Sequence, residues 1–231
     1  MNTVSVNMGL RAISKIRVKY SKNEPVRFLS HLEVVSAIRQ AVRRASLPVC
    51  MSSGFSPQPK ISFGPPLAVG YTSSCELFDM EMSCRVSPSD VEKLLIPNMS
   101  AALSVVSVVG VPVVSKSVEL VVNVARYSVE ISISQQVAIQ KLSDFFSAKE
   151  FLVERITDKS KRTIDVRPLV CDMKYADSKI EMLLRFGPKR TAKPDMIIQK
   201  IFNLSVDEKI ALRINRDKFF YETETGDLRQ V

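Results

Sequence analysis

The residue types that could do chemistry in this 231-residue chain are concentrated in one stretch of its first third. The stretch begins with the run Arg27-Phe28-Leu29-Ser30-His31-Leu32, which contains the single histidine. It continues through Arg39, Arg43 and Arg44 into the segment Gly54–Gly64, with the sequence GFSPQPKISFG. Glycine allows backbone conformations that other residues avoid and proline fixes φ, so this segment predicts a rigid loop. Such a loop beside arginines can present polar groups to a ligand, although a helix packed on a well-formed turn would use the same residues.

His31 is the candidate catalytic residue. It is expected in the first turn of a helix, where unpaired N–H groups and the helix dipole disfavour an imidazolium. A neutral imidazole there could act as a general base, or could hydrogen bond to a nucleobase or phosphate. It could equally serve only to order the loop before the helix. No serine or cysteine can be placed beside it from the spacing, so the sequence predicts no nucleophilic dyad.

Positive charge is clustered in two blocks of the chain, which carries a net charge of +9. Residues 11–44 contain nine Lys or Arg against two Asp or Glu, and residues 155–200 contain twelve against six. Clustering of this kind is typical of proteins that bind polyanions, although a solvated basic face has the same composition. The candidate RNA-binding residues are Arg27, Arg39, Arg43, Gln58, Lys60, Lys161 and Arg190.

Three phenylalanines stand among the first-block residues and could stack on unpaired bases, namely Phe28, Phe55 and Phe63. Aromatic side chains in such segments usually belong to the core, so we expect at least two of the three to be buried. Lys60 follows a Pro-x-Pro turn that should aim its ammonium group reproducibly. We expect the Gly54–Gly64 loop to lie against the first helix, with Lys60 and Gln58 on the same side as His31 and Arg39. We also expect Gly54 to have a positive φ.

Several function classes are excluded or disfavoured by composition. No apolar run approaches the ~20 residues of a membrane-spanning helix, and the first ten residues do not read as a signal peptide, so we expect a cytoplasmic protein without membrane contact. One histidine and four cysteines without a C-x-x-C pair disfavour a metal centre, and the phosphate-binding glycine motifs are absent. We therefore expect no cofactor and no metal.

Hydrophobic periodicity in the first half predicts the element order βαββαβ with one insertion. The helix begins at Ser30 with a capping box that Glu33 completes. The other expected elements are strands at Ile13–Tyr20, Leu47–Met51, Lys60–Phe63, Glu76–Met82 and Leu103–Val109, and a helix at Pro88–Leu95.

The second half repeats this order without repeating the residues. Its expected strands are Tyr127–Ile133, Phe151–Ile156, Ile164–Met173 and Ile180–Phe186, with helices at Gln135–Phe146 and Pro194–Phe202 and a closing hairpin of Ile210–Ile214 with Phe219–Tyr221. The fold class is therefore predicted as α+β, with two tandem ferredoxin-like domains at 12–112 and 118–223. A serine-flanked proline segment separates them.

The first-block motifs resemble those of a known family. The patterns R-F-L-S-H-L-x(6)-R-x(3)-R-R-A-x-L-P and S-x-G-F-x-P-x-P-K-I-S-F-x-x-P-L-x-V-G, between Ile16 and Gly70, are similar to the radical-SAM-linked domain of unknown function in its freestanding form. The segment Ile164–Pro168 resembles that family's later I-D-I-R-P motif. Gln58 departs from the family, which usually has His or Arg there, and this makes catalysis by the loop less expected.

The resemblance implies a partner, a radical SAM protein that carries a B12-binding-like region, and often work on RNA. Three functions follow from the residues and the resemblance together. The preferred one is an accessory RNA-binding protein for a radical SAM enzyme, active in RNA modification or processing and expected to have no catalytic activity of its own. The alternatives are a metal-independent ribonuclease that uses His31, and a protein-binding adaptor without RNA contact. The RNA, the partner enzyme and the oligomeric state stay open.

Overall fold

The structure is a computed structural model that describes residues 11–157, 160–187 and 192–231. The chain divides into two compact units, the first ending at Val121 and the second starting at Val122. Each unit combines an antiparallel sheet with helices, which confirms a mixed α+β fold. The sequence-based limits 12–112 and 118–223 stay predictions. In the described ranges, no helix is long and apolar enough to cross a bilayer.

The described residues of the first unit, 11–121, form four strands and two helices. They are β1 (Ser14–Lys22), α1 (His31–Arg44), β2 (Ile61–Phe63), β3 (Thr72–Met82), α2 (Pro88–Leu95) and β4 (Val105–Val111). The strands lie in the order β4-β1-β3, with β2 paired to the other edge of β3, and all pairs are antiparallel.

The start of α1 agrees with the predicted capping box. The Glu33 backbone N–H donates to Ser30 Oγ at 3.4 Å, and the Ser30 backbone N–H donates to Glu33 Oε2 at 2.7 Å. Hydrogen bonds from the Ser30 hydroxyl and amide lower the pKa of the Glu33 carboxyl, so the cap stays intact through the neutral range. Behind the cap, α1 buries Val34, Ile38, Ala41 and Val42.

The two faces of the first sheet have different characters because side chains alternate along a strand. The face towards α1 and α2 is apolar, and its strand residues include Ile16, Val18, Tyr20, Phe78, Met80 and Met82. The opposite face carries charge, since Arg17 binds the buried Asp79 through two hydrogen bonds of 2.7 and 3.0 Å. Whether a residue of β2 or β3 faces the apolar helices or the charged side of the sheet therefore depends on its position in the strand pairing.

In the part of the second unit that the structure describes there are seven strands and three helices. They are β5 (Val124–Glu130), α3 (Gln135–Ser147), β6 (Leu152–Thr157), β7 (Ser160–Asp165), β8 (Val170–Ala176), β9 (Lys179–Arg185), α4 (Pro194–Phe202), α5 (Val206–Ala211), β10 (Arg213–Glu222) and β11 (Leu228–Gln230). Its main sheet has the order β10-β5-β9-β8, β11 pairs with β10, and β6 with β7 forms a separate hairpin.

Three predicted elements are wrong. Leu47–Met51 makes only isolated bridges, and the predicted strand Ile164–Met173 is interrupted by a 3-10 turn at Arg167–Leu169, where Pro168 cannot continue a ladder. The predicted closing hairpin is the single strand β10, whose register shifts between Arg216 and Lys218. A bulge of this kind interrupts the alternation of apolar and polar side chains although the strand continues in the same direction. In the sequence this interruption looks like the turn of a hairpin.

Candidate functional site

One flank of α1 carries the predicted polar residues. His31, Val35, Arg39 and Arg43 are four residues apart, so they form one row that winds about 120° around the helix between its ends. We call this row the α1 flank. At its C-terminal end, Arg43 Nη2 donates to Gln58 Oε1 at 2.9 Å. The predicted approach of the Gly/Pro loop to α1 is thus present at this contact.

The loop that carries Gln58 is closed by its own hydrogen bonds. The Ser52 backbone N–H donates to the Gln58 carbonyl at 2.8 Å, and the Gln58 N–H donates to Ser52 Oγ at 2.9 Å. Gly54 has a φ of +124°, which confirms the predicted positive φ and explains glycine at this position. The closed loop holds Phe55 out into solvent, where its side chain is fully exposed.

Arg39 occupies the middle of the α1 flank and is half-buried. Its Nε atom is buried and has no hydrogen-bond partner within the described ranges. An unsatisfied buried N–H is costly, so an oxyanion that reached this guanidinium would gain more than at a fully solvated arginine. By contrast Arg44, which follows Arg43 in sequence, faces the other side of α1 and donates to the Asn98 carbonyl at 2.7 Å.

The loop before α1 exposes a second aromatic ring. The Arg27 guanidinium carbon lies 4.5 Å from the centre of the Phe28 ring, and Phe28 is 66% exposed. Arg27 also forms an ion pair of 3.0 Å with Glu24. The guanidinium is therefore held in place, and it leaves Phe28 accessible to a ligand.

The expectation that at least two of Phe28, Phe55 and Phe63 are buried is wrong. Only Phe63 packs against the core, with its ring centre 5.8 Å from that of Phe78. Phe63 lies in β2 opposite Phe78 and faces the helices, whereas Phe28 and Phe55 lie in loops whose backbone hydrogen bonds hold them away from the sheet. All eleven phenylalanines are within the described ranges, and Phe28 and Phe55 are the two exposed ones.

His31 is the first residue of α1 and packs edge-on against Phe63, with ring centres 6.2 Å apart. It lines a crevice of about 10 Å³ together with Tyr20, Lys22 and Glu76. A crevice of this volume has room for about one water molecule. The surroundings of His31 suit a packing and hydrogen-bonding role at the helix start.

Lys60 does not join the α1 flank, and the expectation that it lies on the same side as His31 and Arg39 is wrong. Ile61 pairs with Met80, and Ile61 packs against the core beneath the helices. The preceding residue Lys60 therefore projects to the other side, where its Nζ lies 3.7 Å from Glu81 Oε2. The proline turn does aim Lys60, but towards the charged face of the sheet.

Most of the chain matches one described protein family. Residues 15–194 match the family described as "Uncharacterized protein conserved in bacteria (DUF2344)". The chain belongs to this family. The match of this DUF2344 chain gives no link to radical SAM proteins, so that part of the resemblance stays a prediction. No curated protein matches the chain.

Among solved structures, one similar to the DUF2344 chain is described as "Crystal Structure of a Cbf5-Nop10-Gar1 Complex". The sequences are 13% identical, the TM-score is 0.43, and the match covers 93% of this chain. It covers 51% of the other chain, so the DUF2344 chain spans about half the length of that relative.

Sequence reasoning missed Lys22, which anchors the loop before α1. Lys22 is 3% exposed, and its Nζ donates to the carbonyls of Arg27 and Leu29, each at 2.8 Å. The Gly70 backbone N–H also donates to the Arg27 carbonyl at 2.9 Å. The signal available in the sequence was a lysine at the end of an apolar strand, two residues after the buried Tyr20.

Two residues of the second unit, Lys161 and Arg190, were also predicted to bind RNA. Lys161 lies in β7 opposite Ile156, but its side chain is outside the described set, and Arg190 lies outside the described residues. Their contacts with RNA stay predictions. Over the described ranges, no group of three or more His, Cys, Asp or Glu side chains could hold a metal ion. Burial raises the pKa of the Cys50 and Cys171 thiols, so neither is an activated nucleophile.

Proposed function

We propose that this DUF2344 chain is an accessory RNA-binding protein that holds unpaired RNA on its first unit. The observation that carries the proposal is the exposure of Phe28 beneath the Arg27 guanidinium and of Phe55 on a loop tied to Arg43. Single-stranded RNA is bound by stacking bases on aromatic rings while arginines neutralise phosphates. Two exposed phenylalanines among arginines match both requirements.

Binding is favoured over cleavage by the positions of His31 and Lys60. His31 packs against Phe63 beside a crevice of about 10 Å³, and Lys60 lies with Glu81 on the other side of the sheet. A metal-independent ribonuclease with His31 as base would need Lys60 or an arginine to stabilise the phosphorane, and Lys60 is on the wrong side of the sheet for this. The arrangement supports an RNA-binding role for the α1 flank without a catalytic role for His31.

The cellular context in this proposal rests on the resemblance of the sequence motifs. It includes a radical SAM partner with a B12-binding-like region and a cytoplasmic location. We also propose that each unit is ferredoxin-like. The strand orders β4-β1-β3-β2 and β10-β5-β9-β8 support this, because both place corresponding strands of a βαββαβ unit in the same positions.

The proposal is tested by fluorescence anisotropy with labelled unpaired RNA over a range of salt concentrations. The double variant Arg39→Ala/Arg43→Ala should weaken binding and reduce the slope of log affinity against log salt by about 1.4, which is ~0.7 for each phosphate that is no longer neutralised. Arg44→Ala is the matched control, because it removes an arginine of the same helix that faces the other flank.

Equal effects of the double variant and Arg44→Ala would contradict a site on the α1 flank. An absence of RNA binding at low salt would reject the function and leave a protein-binding adaptor as the better hypothesis. Incubation of the protein with the same RNA in the presence of EDTA tests the ribonuclease alternative. Cleavage that is abolished in His31→Ala would overturn the proposal of a binding protein without catalysis.

A further inference from the structure

The two exposed phenylalanines lie at opposite ends of the α1 flank. Phe28 precedes α1 by three residues, whereas Phe55 is at the tip of the loop that Gln58 ties to Arg43 in the last turn of the helix. His31 and Arg43 are twelve residues apart, and at about 1.5 Å per residue the flank between the two ends is ~18 Å long. Arg39 lies between them.

This order of chemical groups, with an aromatic ring at each end and guanidinium groups between, corresponds to the order of groups in a nucleic-acid strand. A base inside a duplex has both faces covered by its neighbours, so the bases best able to stack on Phe28 and Phe55 are those of an unpaired segment. The backbone between those bases then passes Arg39 and Arg43. An acidic peptide would use the arginines but has no reason to need two separated aromatic surfaces.

We propose that the α1 flank with Phe28 and Phe55 is one site for an unpaired RNA segment of about four to six nucleotides, with one base stacked on each ring. This inference rests on the proposed RNA-binding function and adds the class and length of the ligand. A strand that rises ~3.4 Å per nucleotide when stacked covers ~18 Å in about five steps, which is about six nucleotides, and fewer suffice if it is stretched. The length also falls within the range of about 4–16 nucleotides known for single-strand-binding domains.

The first experiment measures affinity for unpaired RNAs of two to ten nucleotides at one low salt concentration. Affinity should rise steeply up to about four to six nucleotides, where both rings become occupied, and should change little beyond that length. A smooth increase over the whole series would overturn the inference, because it would indicate binding by charge alone. A duplex of the same length should bind more weakly than the single strand.

The second experiment places an abasic nucleotide at the 5′ or the 3′ end of a six-nucleotide RNA. In the unaltered protein each abasic end should weaken binding by about 5- to 150-fold, which is the value of one stacked base. In Phe28→Ala one of the two ends should lose its effect, and in Phe55→Ala the other end should do so. This pattern would also establish which way the strand runs along α1.

Both variants alter exposed side chains, so the fold should be retained. Ile210→Ala in α5 is the matched control, because it truncates a side chain that is 72% exposed in the second unit, and it should leave every affinity unchanged. If both phenylalanine variants suppress the same abasic effect, or neither suppresses any, RNA binding stands and the two-ended site is wrong. If no RNA binds at any length, the proposed function and this inference are both wrong.

Discussion

Replacing Lys22 with methionine tests whether the hydrogen bonds of the Lys22 ammonium group hold the loop that carries Arg27 and Phe28 in position. Methionine keeps most of the apolar stem of the lysine but removes the ammonium group. In the unaltered protein that group donates to the carbonyls of Arg27 and Leu29 at 2.8 Å. Lys22→Met therefore removes two hydrogen bonds from a side chain that is 3% exposed.

The cost of this substitution follows from the burial of the groups concerned. A buried carbonyl without its donor costs about 1–3 kcal/mol. The low end applies here because the two bonds are only partly buried and the Arg27 carbonyl keeps the Gly70 N–H as a donor. Removal of a buried ammonium also returns part of its desolvation cost. We expect the free energy of unfolding to fall by about 1–2 kcal/mol.

Denaturant unfolding measures the stability, and RNA anisotropy measures the position of Phe28. Lys22→Met should weaken RNA binding, but in a Phe28→Ala background it should weaken binding no further, because both changes act through the same ring. Lys19→Met, on the same strand, is the control. If Lys22→Met matches this control in stability and in RNA affinity, the loop is not held by Lys22 and the reasoning is refuted.

Two further substitutions test the backbone and the electrostatics. Gly54→Val should destabilise the protein by about 1–3 kcal/mol in denaturant unfolding, because φ is +124° although the space around a Cβ is open. Gly187→Val is the control, since a Cβ there also meets open space but φ is not positive, and it should cost less in the same assay. Asp217→Asn should raise the unfolding midpoint at pH 7, and the increase should shrink towards pH 3. Burial raises the pKa of Asp217 despite hydrogen bonds from Asn215 and Ser128. The unaltered protein therefore loses stability as pH rises through that pKa. A gain in stability of Asp217→Asn that is the same at every pH would contradict this cause.

Local sequence signals predicted the elements that local interactions determine. Ser30 and Glu33 are three residues apart and satisfy each other's backbone and side-chain groups, so the start of α1 needs no distant residue. The row of Arg39 and Arg43 along α1 follows from helical spacing alone. Gly54 was likewise predictable, because few other residues adopt a positive φ in a tight loop.

The wrong predictions involve one-residue differences that sequence patterns do not resolve. Lys60 and Ile61 are neighbours, and which of them faces α1 depends on the pairing of Ile61 with Met80 across the sheet. The bulge at Asp217 in β10 depends on its partner strand in the same way. Register is decided by contacts between distant segments, whereas the periodicity of one segment fits either register.

Arg43 and Arg44 show why both the sequence and the three-dimensional contacts are required to identify the candidate site. As sequence they are two identical side chains at the end of one helix, and charge counting treats them alike. The rotation of about 100° per residue sends Arg43 to Gln58 and Arg44 to the Asn98 carbonyl on the other side of α1. Arg44 thereby ties α1 to the turn after α2, whereas Arg43 joins α1 to the loop that exposes Phe55. Within one motif, a residue that stabilises the fold therefore stands next to one that shapes the proposed RNA surface, and only variants of the two arginines measured side by side separate these roles.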